Sequence, residues 1–142
     1  MELARIRTTI DAPAERVWAI LTDFRHPQVL ARTIESCEAD GDGVGAIRIV
    51  RARGLSIHER LVEVEPSGFR FVYEALPAGD MPAANLKSYR ATVVLRPLGS
   101  ARTEVEWRGE GEIDGQTEAT MAAFADLYAR AIENLQHAAR SR

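Results

Sequence analysis

One pair of charged residues, Arg48 and Glu59, is predicted to face each other on the covered side of a β-hairpin. Arg53-Gly54 is typical of a two-residue turn, which pairs Ala52 with Leu55. Every further pair follows from the antiparallel register, so Arg48 lies opposite Glu59. The rest of this hairpin face is apolar and consists of Ala46, Val50, Ala52, Leu55, Ile57 and Leu61.

A covered ion pair is costly to desolvate and is seldom a net stabiliser, so its presence needs an explanation. The functional interpretation is a polar anchor at the floor of a ligand cavity, where it would orient a carbonyl, hydroxyl or carboxylate group. The alternative is structural: the pair lies at the sheet margin or forms a satisfied internal salt bridge. The sequence leaves both interpretations open.

Aromatic side chains on the predicted strands and on the last predicted helix form a second set of candidates. They could simply fill a core, because aromatic residues dominate ordinary cores by area. Buried Tyr and Trp need partners for their polar tips, however, which favours a cavity with both polar and apolar walls. Trp18 and Phe24 are expected to pack beneath the first helix instead. The predicted ligand-binding residues are Arg48, Val50, Ile57, Glu59, Leu61, Phe71, Tyr73, Tyr89, Trp107, Phe124 and Tyr128.

The other residue types that carry chemistry form no recognisable site, and no catalytic residue is assigned. His26, His58 and His137 lack the spacing of metal ligands, so neither a metal nor a cofactor is expected. Cys37 is the single cysteine and has no candidate base beside it, which argues against thiol catalysis. The glycine-rich run 41–45 lacks a following Lys-Ser/Thr or helix, so it is not a phosphate loop.

Composition predicts one soluble domain over residues 1–142. The chain is 46% hydrophobic and 27% charged, as in ordinary globular proteins. Its net charge of −3 gives no basis for binding nucleic acid or anionic lipid. No run of about 18 apolar residues predicts a membrane span, and no apolar leader follows Met1. With a lone cysteine, these features favour a cytoplasmic protein. Edge strands could pair across a dimer but nothing in the sequence specifies it, so both a monomer and a homodimer stay open.

The spacing of hydrophobic residues predicts the strands and helices that position the candidate site residues. A period of two predicts strands, and a period of 3.6 predicts helices. Residues 2–10 alternate as a strand, and Asp11-Ala12-Pro13 begins a helix that ends near Phe24, with a further short turn of helix at Val29-Leu30. Six more strands are predicted at 34–39, 45–52, 55–64, 69–76, 86–97 and 102–113. From Thr117 to about Ala139 the period becomes 3.6, which predicts a helix roughly 30 Å long.

Six fragments carry a resemblance to a known superfamily: Ile10–Trp18, Gly43–Arg48, Glu59–Leu61, Tyr89–Thr92, Thr103–Trp107 and Phe124 on the last helix. Their order is similar to that of the helix-grip fold of START lipid-transfer domains, the birch-pollen allergen family and bacterial polyketide cyclase/dehydratase-like proteins. The resemblance covers the whole chain. It implies an α+β fold in which a curved seven-stranded antiparallel sheet wraps around a long C-terminal helix, with two short helices after strand 1.

The resemblance also implies space for a ligand beneath the long helix, although this fold hosts many functions. The first expectation is binding of a small hydrophobic molecule, lipid-, polyketide- or isoprenoid-like, in a cavity of about 300–1,000 Å³. The alternative is a polyketide cyclase/dehydratase-type enzyme, in which Arg48, Glu59, Tyr73 or Tyr89 would move protons at a carbonyl. A third expectation, a partner-regulating domain, would show an exposed apolar patch.

Plant abscisic acid receptors resemble this chain at Ser36-Cys37 and at Glu59-Arg60-Leu61. The chain departs from their Ser-Gly-Leu-Pro gate, where it has 52–57 as Ala-Arg-Gly-Leu-Ser-Ile, and from their His-Arg-Leu latch, where it has Ala84-Asn85-Leu86. The lysine that meets the hormone carboxylate in that family has no match near Ala31. Hormone reception is therefore not expected.

Overall fold

The computed structural model describes residues 1–115 and 117–140. Seven strands form one antiparallel sheet in the order β1-β7-β6-β5-β4-β3-β2, and the long helix α2 follows the last strand. The predicted α+β helix-grip fold is confirmed. The elements are β1 (Glu2–Ile10), α1 (Ala14–Leu21), a 3-10 helix (Pro27–Val29), β2 (Ile34–Ala39), β3 (Ile47–Ala52), β4 (Leu55–Glu65), β5 (Arg70–Ala75), β6 (Arg90–Pro97), β7 (Thr103–Glu110) and α2 (Thr117–Arg140).

The β3–β4 hairpin has the predicted register. Ala52 pairs with Leu55, and Arg48 pairs with Glu59. Arg53 and Gly54 both have positive φ angles, 54° and 78°, as the two central residues of a type I′ turn require. Because this turn matches the right-handed twist of the strands, it fixes the pairing of every residue that follows.

The core lies between one face of the sheet and the apolar stripe of α2. Along β7, residues 103, 105, 107 and 109 are buried, while the glutamates and the arginine between them are partly exposed. The buried positions of α2 recur at spacings of three and four, which turns one side of the helix toward the sheet. The helix packs mainly on β1, β7 and α1. No helix within the described ranges is long and apolar enough to cross a membrane.

Several element boundaries differ from the sequence prediction. The second predicted short helix is the 3-10 helix at Pro27–Val29, and α1 ends at Leu21 rather than near Phe24. The strand predicted from residue 86 begins only at Arg90. Side-chain bonding interrupts the regular ladder there, since the amide of Glu112 donates to the Ser88 hydroxyl at 3.1 Å. β7 ends at residue 110, and beyond it Leu86 forms an isolated bridge with Ile113.

Thr103 connects β7 to the loop before α1 and provides a test of this packing. Its side chain is fully buried, and its hydroxyl donates to the Ala12 carbonyl at 2.8 Å. Thr103→Val keeps the side-chain shape but removes the donor, so the free energy of unfolding should fall by about 1–3 kcal/mol in urea unfolding. Thr9→Val, on the exposed face of β1, should change it by less than about 0.5 kcal/mol. Equal losses in both variants would contradict this role.

Candidate functional site

The Arg48–Glu59 pair lies inside the molecule, where β3 and β4 bring the two side chains together. Both Nε and Nη2 of Arg48 lie 2.8 Å from Oε1 of Glu59. The side chains are only 7% and 12% exposed. The predicted position on the covered face is therefore confirmed, and the alternative position at the sheet margin is wrong.

The segment after α1 completes the surroundings of the guanidinium. Nη1 of Arg48 donates to the carbonyl of Phe24 at 3.0 Å. The guanidinium carbon lies 4.4 Å from the centre of the Phe24 ring and 5.2 Å from that of Tyr73, within the range of cation–π attraction. Phe24 is fully buried, but it lies beyond the end of α1 and against Arg48, so the prediction that it belongs to the first helix is wrong.

A cavity of about 160 Å³ lies between the sheet and α2, with the ion pair in its wall. Its wall also includes Thr33 and Arg53, which are both exposed. Its volume is below the expected range. It is close to that of an apolar cavity of about 150 Å³ that holds benzene in another protein.

Nine of the eleven predicted ligand-binding residues line this cavity: Arg48, Val50, Ile57, Glu59, Phe71, Tyr73, Tyr89, Trp107 and Tyr128. Leu61 and Phe124 do not. Leu61 is fully buried in β4 opposite Tyr73, and the Phe124 ring stacks on Tyr89 with 5.1 Å between ring centres. Both residues belong to the core beside the cavity. Whether any of the eleven binds a ligand stays a prediction.

Sequence reasoning missed the rest of the wall. Leu127 and Ala131 of α2 line the cavity, and their spacing from Phe124 and Tyr128 on the helix was a signal that could have identified them. The segment between α1 and β2 has no regular period, so nothing in the sequence pointed to it. It contributes Asp23, Pro27, Leu30, Ala31 and Thr33, and the adjoining ends of α1 and β2 add Leu21 and Ile34.

All three tyrosines of the chain lie in this site. Tyr73 is on β5, Tyr89 just precedes β6, and Tyr128 is on α2. The hydroxyl oxygens of Tyr89 and Tyr128 are 2.5 Å apart and share a hydrogen bond. Burial, the largest cause, raises the pKa of each tyrosine, and the Glu59 carboxylate raises it further. The three hydroxyls are therefore protonated at neutral pH and can donate hydrogen bonds.

Gly109 of β7 makes room for this tyrosine pair. A Cβ atom at this position would lie 2.0 Å from the Tyr128 hydroxyl oxygen and 3.0 Å from Cζ of the same ring. Any larger residue would push α2 away from the sheet or displace the tyrosine. The glycine thus sets how closely the helix approaches the sheet at the cavity.

Trp107 adds a further buried donor to the site. Its ring stacks on Tyr128 at 5.9 Å between centres, and its side chain is almost fully buried. In the part of the chain that the structure describes, no acceptor forms a hydrogen bond with its Nε1. The Tyr73 hydroxyl is close enough for the indole to lower the Tyr73 pKa, but the geometry falls short of a hydrogen bond.

Trp18, His26 and Cys37 were not among the predicted ligand-binding residues, and they do not line the cavity. Trp18 contacts Phe69 edge-on, with 5.6 Å between ring centres, and does not line the cavity. His26 contacts the Asp23 carboxylate at 3.0 Å on the surface. Burial raises the pKa of the Cys37 thiol, which disfavours the thiolate. Among residues 1–115 and 117–140, no group of His, Cys, Asp or Glu is placed to hold a metal ion.

Comparison with known proteins places the chain among helix-grip proteins. The sequence model of the family described as polyketide cyclase / dehydrase and lipid transport matches residues 2–140. Abscisic acid receptor PYL6 of Arabidopsis thaliana is 42% identical over 45 residues, which are 30% of this chain and 21% of the receptor. The match thus spans about a fifth of that curated relative.

Two solved structures share the fold over nearly the whole chain. A protein of Nitrosospira multiformis is 26% identical, with a TM-score of 0.75 and 95% of each chain covered. Norcoclaurine synthase of Thalictrum flavum, in complex with dopamine and hydroxybenzaldehyde, is 17% identical, with a TM-score of 0.75 over 94% of this chain and 83% of that one. The second likeness is one of fold alone. The resemblance found in the sequence is confirmed.

Removing one member of the buried ion pair should be far more damaging than removing both. Glu59→Leu leaves the Arg48 guanidinium buried without its carboxylate, so the free energy of unfolding should fall by about 3–5 kcal/mol. The double variant Arg48→Met, Glu59→Leu should recover to within about 1 kcal/mol of the wild type. Urea unfolding of the three proteins measures this difference, and a double variant no more stable than Glu59→Leu would refute it.

The raised tyrosine pKa values predict a loss of stability at alkaline pH. Above about pH 10, tyrosines of the unfolded chain release their protons while the buried ones keep theirs, so stability falls as pH rises. Each buried tyrosine should contribute a slope of about 1.4 kcal/mol per pH unit, and no loss should come from them below pH 10. Urea unfolding across this range measures the slope. Tyr73→Phe should reduce it by about one third, and an unchanged slope would argue against a buried Tyr73.

Proposed function

Because the chain belongs to the polyketide cyclase / dehydrase and lipid transport family, we propose that it binds one small, largely apolar molecule between the sheet and α2. The observation that carries this proposal is the cavity, whose mostly apolar wall contains a fixed ion pair and a cluster of hydroxyl groups. Ligand sites typically combine apolar walls with a few polar groups that orient the ligand.

The cavity volume favours a compact ligand. A cavity of about 160 Å³ suits a single ring better than a long acyl chain. Among lipid-, polyketide- and isoprenoid-like molecules, we therefore propose that only the smallest fit. The norcoclaurine synthase structure holds dopamine and hydroxybenzaldehyde, each with one ring, so the same fold accommodates molecules of this size. That support comes from the fold and not from any shared chemistry.

Binding is favoured over the polyketide cyclase/dehydratase-type reaction. Tyr73 and Tyr89 stay protonated at neutral pH because burial raises the pKa of both, so they can donate hydrogen bonds but cannot take up a proton. The Glu59 carboxylate is bound by Arg48 at 2.8 Å. An acid–base reaction at a carbonyl would first have to release one of these groups. Holding a ligand oxygen requires no such change.

Filling the cavity tests the binding function. Ala131 of α2 is buried and lines the cavity, so Ala131→Leu should occupy part of its volume and lower ligand occupancy at least ten-fold. Ala129→Leu, on the exposed side of the same helix, is the matched control and should retain the ligand. Native mass spectrometry of protein purified from its own host measures occupancy as a discrete mass adduct.

Two results would refute the binding function. One is a wild-type protein that carries no adduct from its host. The other is an adduct that both leucine variants retain equally. Thermal unfolding of the two variants shows whether a loss of adduct reflects a filled cavity or a damaged fold, since overpacking usually costs about 1–3 kcal/mol.

A further inference from the structure

The Glu59 carboxylate uses only one of its two oxygens inside the protein. Nε and Nη2 of Arg48 both lie 2.8 Å from Oε1 of Glu59. The third guanidinium nitrogen, Nη1, donates to the Phe24 carbonyl at 3.0 Å instead. Among the described residues, no hydrogen bond reaches the second carboxylate oxygen, Oε2. The pair is therefore one-sided, whereas arginine frequently binds both oxygens of a carboxylate in parallel.

Oε2 of Glu59 is open to the cavity. The Glu59 side chain is 12% exposed and forms part of the cavity wall. Among the buried and half-buried side chains of the described residues, only Trp107 has an unpaired nitrogen or oxygen without accessible surface. The unpaired Oε2 therefore has accessible surface, and on the covered face of the sheet that surface faces the cavity. A carboxylate oxygen in this position needs a hydrogen-bond donor, either from solvent or from a ligand.

The hairpin face beside Glu59 provides an apolar floor for a ring. Val50 pairs with Ile57, and both line the cavity two residues along their strands from Arg48 and Glu59. Side chains two residues apart on an antiparallel strand are separated by about 6.8 Å. A hydroxyl on a ring, or on a one-carbon arm of that ring, can span this distance. A ring on the Val50–Ile57 pair therefore brings its hydroxyl within reach of Oε2.

The charges of the ion pair decide which polar group suits Oε2. A carboxylate oxygen only accepts hydrogen bonds, so it repels a carbonyl or carboxylate oxygen of a ligand. Arg48 already balances the charge of Glu59, so a ligand ammonium would bring an uncompensated positive charge next to the guanidinium. A hydroxyl donates a proton without adding charge. Its hydrogen bond to an ionised acceptor is also stronger than one to a neutral acceptor.

These observations deepen the proposed binding function, on which the following step rests. We propose that the cavity selects a single-ring alcohol or phenol, whose hydroxyl donates to Oε2 of Glu59 while its ring lies on Val50 and Ile57. Arg48 is a positioning residue here, because it holds Oε1 and leaves Oε2 to the ligand. The ion pair, which is costly to bury, thus provides a fixed acceptor in an otherwise apolar wall.

Four probes with one carbon skeleton separate the possibilities. α-Methylbenzyl alcohol has a hydroxyl donor, acetophenone has only a carbonyl acceptor, ethylbenzene has no polar group, and α-methylbenzylamine has an ammonium. Titration of the ¹⁵N-labelled wild-type protein, followed through its backbone amides in ¹H–¹⁵N spectra, gives Kd for each probe. The alcohol should bind at least ten-fold more tightly than each of the other three, a difference of about 1.4 kcal/mol.

The carboxyl carbon of Glu59 reports the hydrogen bond itself. In protein labelled with ¹³C at the glutamate carboxyl carbons, the alcohol should shift the Glu59 signal, and ethylbenzene should leave it nearly in place. Glu63, on the same strand but outside the cavity wall, is the internal control, and its signal should not respond to either probe. A shift of the Glu59 signal that is equal for both probes would overturn the hydrogen bond.

Glu59→Gln tests the acceptor by exchanging it for a donor. The glutamine oxygen can replace Oε1 at Arg48, which puts the amide nitrogen in the place of Oε2. The preference should therefore reverse, with acetophenone bound more tightly than the alcohol. Glu63→Gln is the matched control and should keep the wild-type preference. If Glu59→Gln does not fold, the wild-type affinities and the ¹³C signal still decide.

The possible failures are distinguishable. Equal affinities for the alcohol and ethylbenzene, tightest binding of acetophenone or the amine, or a Glu59→Gln variant that folds and still prefers the alcohol would overturn hydroxyl selection. Each of these results leaves the binding function intact. If no probe binds although a host molecule co-purifies, the ligand class is wrong. If no probe binds and nothing co-purifies, the binding function itself fails.

Discussion

The buried guanidinium and carboxylate on the otherwise apolar inner face of the sheet impose the strongest constraint on this structure. Removing each charge from water costs several kcal/mol, and the interior must offset that cost with close and complete contacts. Arg48 obtains them from the Glu59 carboxylate, the Phe24 carbonyl and the rings of Phe24 and Tyr73. These contacts require the segment after α1 to fold back over the sheet. They also require the pairing of β3 with β4 and of β4 with β5 that brings Glu59 and Tyr73 to Arg48.

The same ion pair gives the cavity its chemical character. A dry apolar interior would raise the tyrosine pKa values by desolvation alone, and the Glu59 carboxylate adds to that effect. The three tyrosine hydroxyls are consequently neutral at pH 7. The cavity wall therefore combines neutral hydroxyl groups and one ion pair with a larger apolar surface.

Packing of the aromatic side chains explains why the cavity is small. Phe124 stacks on Tyr89, and Trp107 stacks on Tyr128, so these rings occupy much of the space between the sheet and α2. Gly109 lets the Tyr128 hydroxyl come so close to β7 that even a methyl group would clash with it. The helix therefore lies near the sheet, and the volume of about 160 Å³ is what remains.

The sequence by itself determined the features that depend on neighbouring residues. The Arg53-Gly54 turn sets the β3–β4 register, and with it the opposition of Arg48 and Glu59, because antiparallel pairing leaves no freedom once the turn is fixed. Hydrophobic periods of 2.0 and 3.6 likewise predicted β7 and α2 with small errors at their ends. The hairpin register placed Arg48, Val50, Ile57 and Glu59 on the covered face, and all four line the cavity.

Only the tertiary structure decided how far apart the sheet and the helix lie. That distance puts Leu61 and Phe124 in the core instead of the cavity wall. It also brings the irregular segment between α1 and β2, with the Phe24 carbonyl, to the ion pair. Such outcomes depend on side-chain volumes from elements far apart in the chain, and no periodicity within one element encodes them.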